Sequence, residues 1–365
     1  MTLFTPIDLP KLISESYEIP DSDYLLILAS GFEDRTKTVL DKISKKPPKA
    51  VLLIIYQGEK HLNKDDEIRR YLKSMRVSTD EIYFDRRNPQ PFEQSFEDYL
   101  ANLKSVKEIL IDISVMSKLL IMTLLVGCQN FEDDIMILYT EPRMYKPTKA
   151  QFEAKKRYSK LAAVKLSFQT SDVAATITTR NLSSIAMDNS PIFLVGFPTF
   201  NEDLLIILFH EFSPNAWVIV HGKPLREKDQ WRLNAIKYMN RHILEQIQPT
   251  DQIVVSTFHY EETFNVLENS YHQFKHTHKI IIGPPVSKLQ AVAISIFKLY
   301  RPDVQILYPT PKSYLLHEHS LQAKAIHMIK FKRYAHYIKS LIESRLKVDA
   351  YSPVRTYSSE AVSTE

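Results

Sequence analysis

Residues 111–118 read Ile-Asp-Ile-Ser-Val-Met-Ser-Lys, and residues 281–288 read Ile-Ile-Gly-Pro-Pro-Val-Ser-Lys. In both places an apolar helix-like run follows the Ser-Lys pair, and a second apolar strand-like run follows the helix. Each copy then ends in Tyr-x-x-Pro-[Arg/Lys]-x-Tyr, at residues 139–145 and 308–314. The same elements in the same order at nearly the same spacing predict an internal duplication.

Strand-like and helix-like runs alternate on both sides of these motifs. The strand-like runs are apolar, rich in β-branched residues and without a polar face, which is typical of a parallel sheet covered on both sides. We therefore predict an α/β protein made of two tandem Rossmann-like parallel-sheet lobes, with a C-terminal helix.

Changes in composition along the chain predict five segments. These are a first lobe at 1–146, a connector at 147–190, a second lobe at 191–316, a C-terminal helix at 317–347 and a disordered tail at 348–365. The connector reads as a basic helix followed by a Ser- and Thr-rich stretch with one or two strands. Apolar residues at helical spacing between Leu321 and Lys347 indicate the helix, and the polar tail lacks the apolar residues of a packed core.

Composition limits the possible function classes. The chain has 365 residues, which suits two domains, and a formal net charge of +4, which permits an anionic ligand. One cysteine, Cys128, excludes disulfides within the chain and Cys-based zinc sites, and we interpret it as a core thiol. No apolar run is long enough for a membrane helix and the N-terminus lacks a secretory signal, so we expect a cytoplasmic protein.

Glycine is scarce, with six in the chain, and two phosphate-binding motifs are missing. Neither a P-loop nor G-x-G-x-x-G occurs, which disfavours the common nucleotide hydrolases and dinucleotide enzymes.

Ligands of open α/β sheets bind outside the carboxyl ends of the strands. The hydroxyl, imidazole and cationic side chains that follow strands are therefore our ligand-binding candidates. They are Ser30, Arg35, Ser117, Lys118, Thr199, His221, Ser256, Ser287 and Lys288. Ser117 and Ser287 begin helices, where free N–H groups and the helix dipole favour a phosphate. The alternative is that both serines are N-caps and both lysines are solvated.

The two Tyr-x-x-Pro motifs offer aromatic rings close to a cation. Tyr145 and Tyr314 are candidates for stacking on a base, with Arg143 and Lys312 on phosphate. The alternative is a structural corner that packs the loop on its lobe.

Carboxylates occur in the first half without counterparts in the second. Asp34, Asp112 and Glu141 are weak catalytic candidates, and they would hold a divalent metal or supply a general base. Asp112 otherwise caps a helix or pairs with Arg35 or Lys118. We identify no other cofactor and leave open whether the chain is an enzyme.

The stretch from Ser114 to Leu119 resembles the hydroxyl-Gly-Gly-Thr-Lys element of CRISPR-associated Rossmann-fold (CARF) domains, and Thr199 and Ser256 resemble that family's other hydroxyl residues. The resemblance implies binding of a cyclic oligonucleotide in a cleft between two related domains, sometimes with slow cleavage. It covers two short motifs. The family's glycines are replaced here by Val115 and Met116, and by Pro285 and Val286 in the second copy, and these larger side chains would crowd a phosphate.

Together these observations predict a non-membrane sensor that binds a nucleotide-like anion between two lobes in bacterial antiviral defence. One alternative is a metal-dependent hydrolase or nuclease centred on the first lobe. Another is a scaffold subunit of a larger defence complex, with a protein partner or a second copy docking on the 321–347 helix.

Overall fold

A computed structural model describes most of the chain. The described residues are 7–14, 18–21, 23–31, 33, 35–58, 63–103, 106–162, 166, 168, 170–314 and 321–351. Asp34 lies outside them, as does the predicted tail from residue 352 onward.

The first lobe is a six-stranded sheet with helices on both faces. Its strands are β1 (Tyr24–Ala29), β2 (Ala50–Tyr56), β3 (Ser78–Phe84), β4 (Glu108–Asp112), β5 (Asp134–Met144) and β13 (Leu321–Phe331). Their order is β13-β5-β4-β1-β2-β3, and all neighbours are parallel except β13 on β5. Its helices are α1 (Arg35–Ile43), α2 (Asp65–Ser74), α3 (Gln90–Asn102) and α4 (Lys118–Gly127). Strand β1 is buried along its whole length and β2 is buried after its first residue, Ala50, as the apolar runs predict.

The second lobe is a five-stranded, fully parallel sheet. Its strands are β7 (Ile192–Gly196), β8 (Ala216–Lys223), β9 (Asp251–Ser256), β10 (Lys279–Ile282) and β11 (Gln305–Ile306), in the order β11-β10-β7-β8-β9. Its helices are α6 (Asp203–Phe212), α7 (Trp231–Met239), α8 (Arg241–Ile247), α9 (Tyr260–Phe274) and α10 (Lys288–Tyr300). Numbered within each lobe, both parallel sheets read fifth, fourth, first, second, third. The predicted Rossmann-like α/β fold is confirmed, and the duplication stays a prediction.

The two lobes exchange strands. The connector forms α5 (Lys149–Ala162) and β6 (Thr170–Ile177), and β6 pairs antiparallel with β12 (Tyr308–Tyr314) of the second lobe. In turn β13 follows the second lobe but pairs antiparallel with β5 of the first. We call this reciprocal arrangement the strand exchange.

The helix predicted over 317–347 is wrong in its first part. Residues 321–331 form β13, and the helix α11 spans Tyr334–Tyr351, so it takes in four residues assigned to the tail. Ile326 and Ile329 suit a helical period, but backbone pairing with β5 along most of its length fixes this segment as a strand.

Two buried helices, α4 and α10, pack against each other between the sheets. Every residue of α10 after Lys288 is buried, and so is nearly all of α4, which explains why both sequences are apolar on all sides. Cys128, at the end of α4, is also buried, and burial raises the pKa of its thiol to about 12. Among the described residues no helix is both long and apolar enough to cross a membrane.

Candidate functional site

The helices α4 and α10 begin at a shared boundary between the lobes. The Ser117 hydroxyl accepts a hydrogen bond from the Leu120 amide at 3.2 Å. Ser287 accepts one from the Gln290 amide at 3.1 Å, and the Gln290 side chain accepts one from the Ser287 amide at 3.0 Å. Both serines are therefore N-caps, as the structural alternative expects.

The two motif lysines cross between the lobes. Lys118 Nζ donates to the Val286 carbonyl at 3.4 Å, and Lys288 Nζ donates to the Met116 carbonyl. Each ammonium thus contacts the loop that precedes the other lobe's helix. Burial lowers the pKa of Lys118 to about 8, and burial together with the nearby Arg35 lowers that of Lys288 to about 7. The lysines are not solvated surface groups.

A cavity of about 320 Å³ lies over this lysine pair, at the carboxyl ends of both sheets. Its cationic lining residues are Arg35, Arg86, Lys118, Arg226, Arg232 and Lys288, and its carboxylates are Glu33 and Glu141. Six cations against two carboxylates give the lining of the cavity an excess of positive charge, which favours an anionic ligand over a cationic one.

Arg35 forms the floor of the cavity on the first-lobe side. It is buried, with Nε 2.7 Å from a Glu33 carboxylate oxygen and Nη1 2.7 Å from the Thr140 carbonyl. These bonds hold its charge in place without a ligand, since a buried guanidinium needs several acceptors.

Six of the nine ligand-binding candidates line the cavity: Arg35, Ser117, Lys118, Thr199, Ser287 and Lys288. The other three do not. Ser30 is fully buried, and fully buried His221 has Nε2 2.9 Å from the Gln252 side-chain oxygen. Ser256 Oγ accepts from the amides of Phe258 and His259 at 3.0 Å each, which shapes the turn before α9.

Of the three carboxylate candidates, Asp34 lies outside the described residues, and Asp112 and Glu141 are each bonded to other groups. Asp112 is 1% exposed and accepts from the Ser114 amide and hydroxyl, and burial raises its pKa to about 6. Glu141 Oε1 lies 3.5 Å from Arg226 Nε, and Glu141 Oε2 lies 3.1 Å from Lys324 Nζ. Burial raises the pKa of Glu141, but hydrogen bonds from His327 and Lys324 and the charge of Arg226 outweigh burial, so the pKa lies below its usual value. No group of three or more His, Cys, Asp or Glu suited to a metal occurs within the described part of the chain.

Sequence reasoning missed two arginines of the second lobe. The Arg226 guanidinium lies 4.6 Å over the Tyr145 ring and donates to the Pro142 carbonyl at 3.0 Å. The Arg232 guanidinium lies 4.7 Å over the Phe200 ring. Arg226 follows β8 by three residues, so the strand-end rule was a usable signal for it. Arg232 lies inside α7, and no sequence signal pointed to it as a site residue.

The Tyr-x-x-Pro motifs line the cavity with Tyr139, Pro142, Tyr145, Tyr308 and Pro311. The phosphate candidates Arg143 and Lys312 are not among the lining residues, and the side chain of Tyr314 lies outside the described part of the chain.

The bulky residues at the CARF glycine positions pack against glycines of neighbouring loops. A Cβ on Gly31 would lie 3.2 Å from Val115 Cβ, and one on Gly222 would lie 3.4 Å from Val286 Cβ. These glycines leave space for the two valines, so the cavity stays open although both line it.

Comparisons with known proteins show similarity of fold. No protein-family model and no curated protein matches the chain. A solved structure of a Type III CRISPR defence DNA nuclease activated by cyclic oligoadenylate aligns with 83% of this chain and 68% of its own, at 7% identity and a TM-score of 0.50. The cytoplasmic domain of a prokaryotic cation chloride cotransporter aligns with 81% of this chain and 99% of its own, at 8% identity and a TM-score of only 0.26. The CRISPR nuclease therefore shares this chain's fold over most of its length.

Proposed function

We propose that this chain is a sensor that binds a nucleotide-like anion of the cyclic oligonucleotide class between its lobes and acts in bacterial antiviral defence. The observation that carries the proposal is the reciprocal pair Lys118 and Lys288 beneath one cationic cavity. The CARF resemblance and the fold of the CRISPR nuclease support the ligand class and the defence role.

The chemistry of the site favours phosphate. The starts of α4 and α10 both meet the cavity, and helix N-termini carry partial positive charge and N–H donors. Both lysines now donate to neutral carbonyls. A phosphate oxygen is a stronger acceptor because charge-assisted hydrogen bonds are shorter and stronger. The volume falls at the lower end of ligand pockets, which span roughly 300–1,000 Å³.

Isothermal titration calorimetry with cyclic tri-, tetra- and hexa-adenylate, their linear forms and mononucleotides tests the proposal. We expect a cyclic oligoadenylate to bind, and the double variant Lys118→Ala/Lys288→Ala to weaken its binding about 10²- to 10⁴-fold, since each of the two charged hydrogen bonds contributes about 1.5–3 kcal/mol. Lys45→Ala/Lys339→Ala is the matched control, because it removes two exposed lysines outside the cavity. No binding by wild type, or equal binding by both double variants, would refute the proposal.

The alternatives have less support. A metal-dependent hydrolase needs Asp34, Asp112 and Glu141 at one centre. Asp34 lies outside the described residues, and the other two are each bonded to other groups. A scaffold that docks partners on 321–347 needs a free apolar face. Instead β13 is paired with β5, and Tyr334, Ile338 and Leu341 of α11 are buried within the chain.

A further inference from the structure

The inter-lobe cavity is symmetric at its centre and asymmetric at its ends. On the second-lobe side, rings, guanidinium groups and a leucine come together. We call this set the aromatic compartment; its members are Tyr145, Phe168, Phe200, Leu225, Arg226 and Arg232. Phe168 and Phe200 pack edge to face with centroids 5.8 Å apart, and Arg232 covers Phe200. The compartment thus has an aromatic wall.

Leu225 lies at the mouth of this compartment. It lines the cavity although it is 53% exposed, and it stands directly before Arg226 in the loop after β8. Apolar surface left open next to guanidinium groups and aromatic rings suits a flat, partly polar ring more than a bare phosphate.

The opposite end of the cavity has different chemistry. Tyr56 supplies the aromatic ring there, but its hydroxyl accepts from the Ser117 amide at 2.6 Å and the Arg86 guanidinium lies 5.5 Å over the ring. The neighbours of Tyr56 and other first-lobe side chains that line the cavity include Ser117, Arg86 and Asn63, all polar. This end therefore suits phosphate and sugar oxygens.

From this asymmetry we infer that the aromatic compartment is a nucleobase subsite, so that the ligand binds in one orientation with a base against the second lobe. The inference rests on the proposed function and goes beyond it by naming where the base lies. Bases stack on aromatic rings and on arginine planes, and such stacking tolerates any base because every base has a flat π-face.

The experiment uses the full chain and cyclic tetra-adenylate, both unmodified and with one adenine replaced by the fluorescent base 2-aminopurine. Stacking quenches that fluorescence. In wild type we expect tight binding and strong quenching at saturation. In Leu225→Ser we expect affinity about fivefold lower and weaker quenching at saturation, because the rim no longer holds the base. Leu161→Ser, at an 82% exposed leucine outside the cavity, is the matched control and should behave as wild type.

The outcomes separate the two claims. If Leu225→Ser matches wild type in affinity and quenching while Lys118→Ala/Lys288→Ala loses binding, the base subsite is refuted and the anion site remains. If wild type binds none of the cyclic oligoadenylates, the proposed function fails and the subsite fails with it. A thermal melt of Leu225→Ser matching that of wild type shows that any loss is not a folding defect.

Discussion

Lys118 Nζ lies 3.4 Å from the carbonyl oxygen of Val286, in the loop that precedes the corresponding lysine of the other lobe. Because Lys288 makes the converse contact to the Met116 carbonyl, the two ammonium groups join the lobes at the floor of the cavity. An anion that draws either lysine into the cavity breaks that lysine's hydrogen bond to the carbonyl of the other lobe. We therefore expect binding of the proposed ligand to change the relative position of the lobes through these two side chains.

The affinity for an anionic ligand should fall as pH rises. Burial lowers the pKa of Lys118 to about 8 and that of Lys288 to about 7, so both lose their charge between about pH 6 and about pH 9. The ligand favours the charged forms and its binding takes up protons. Calorimetry in buffers with different ionisation enthalpies measures this uptake. An affinity that is constant over the same range contradicts the prediction.

Replacing Asp112 should change the acid side of the stability profile. Burial raises the pKa of Asp112 to about 6 from an ordinary 3.8, so the folded protein binds this proton more tightly than the unfolded chain. The stabilisation that results is fully present below about pH 4 and is lost as the pH rises through about 6. Asp112→Asn does not titrate, and its unfolding free energy should fall by about 1–3 kcal/mol less than that of wild type across this window. Denaturant titrations of both proteins at about pH 4 and at a pH above 6 measure this difference in unfolding free energy. Exposed Asp133→Asn should leave the wild-type profile unchanged.

A buried ion pair at the far end of α10 should matter for stability alone. Arg301 Nε donates to Glu268 at 3.1 Å, and Tyr300 and His272 contact the same carboxylate. Arg301→Ala leaves that carboxylate buried without its cation and should cost about 3–5 kcal/mol of unfolding free energy. Ligand affinity should stay at the wild-type value in the folded variant.

The matched control for this pair is on the surface. Arg69 Nε donates to Glu81 at 2.6 Å, and both side chains are more exposed than those of the buried pair. Arg69→Ala should cost about 1 kcal/mol or less, because solvent screens exposed pairs. Equal losses in the two variants would show that burial does not control their effect.

Gly222 should not tolerate a methyl group. A Cβ there would lie 2.6 Å from Thr257 Cγ2 and 3.4 Å from Val286 Cβ, so Gly222→Ala should cost about 1–3 kcal/mol and weaken ligand binding. Thr257→Ser removes the clashing methyl. The double variant Gly222→Ala/Thr257→Ser should recover most of both losses, measured by chemical denaturation and calorimetry. If neither stability nor affinity recovers in the double variant, the clash with Thr257 is not the cause of the losses.

Local sequence patterns predict most of the fold because they record burial. The apolar runs at β1, β2 and β4 are strands with both faces covered, and this requires the alternating helices that are found. The failure at 321–331 has a physical reason. That strand is defined by pairing with β5, nearly two hundred residues earlier in the chain, and no local period records such a partner.

Some residues of the site are likewise predictable from local sequence patterns, and others are not. Lys118 and Lys288 are predictable because parallel strands bring their carboxyl ends to one edge. Ser30 satisfies the same rule but is fully buried and does not line the cavity. His221 was expected to follow its strand, but β8 runs on to Lys223, so His221 lies inside the strand and is also fully buried. Arg232 reaches the cavity from within a helix, through packing between elements that sequence reasoning does not join. The cytoplasmic location, the ligand and the domain boundaries other than that of the 317–347 segment stay predictions.

The strand exchange means that the chain has no place where it can be divided into two self-sufficient halves. A cut between β6 and β7 leaves the N-terminal piece without β13, so the edge of β5 is open, and gives it β6 without β12. The C-terminal piece has β13 without β5 and β12 without β6. Exposed strand edges promote aggregation, so each piece should be poorly behaved alone, while co-expression restores both pairings and with them the cavity. Such complementation makes assembly of the two halves a direct measure of the exchanged strands.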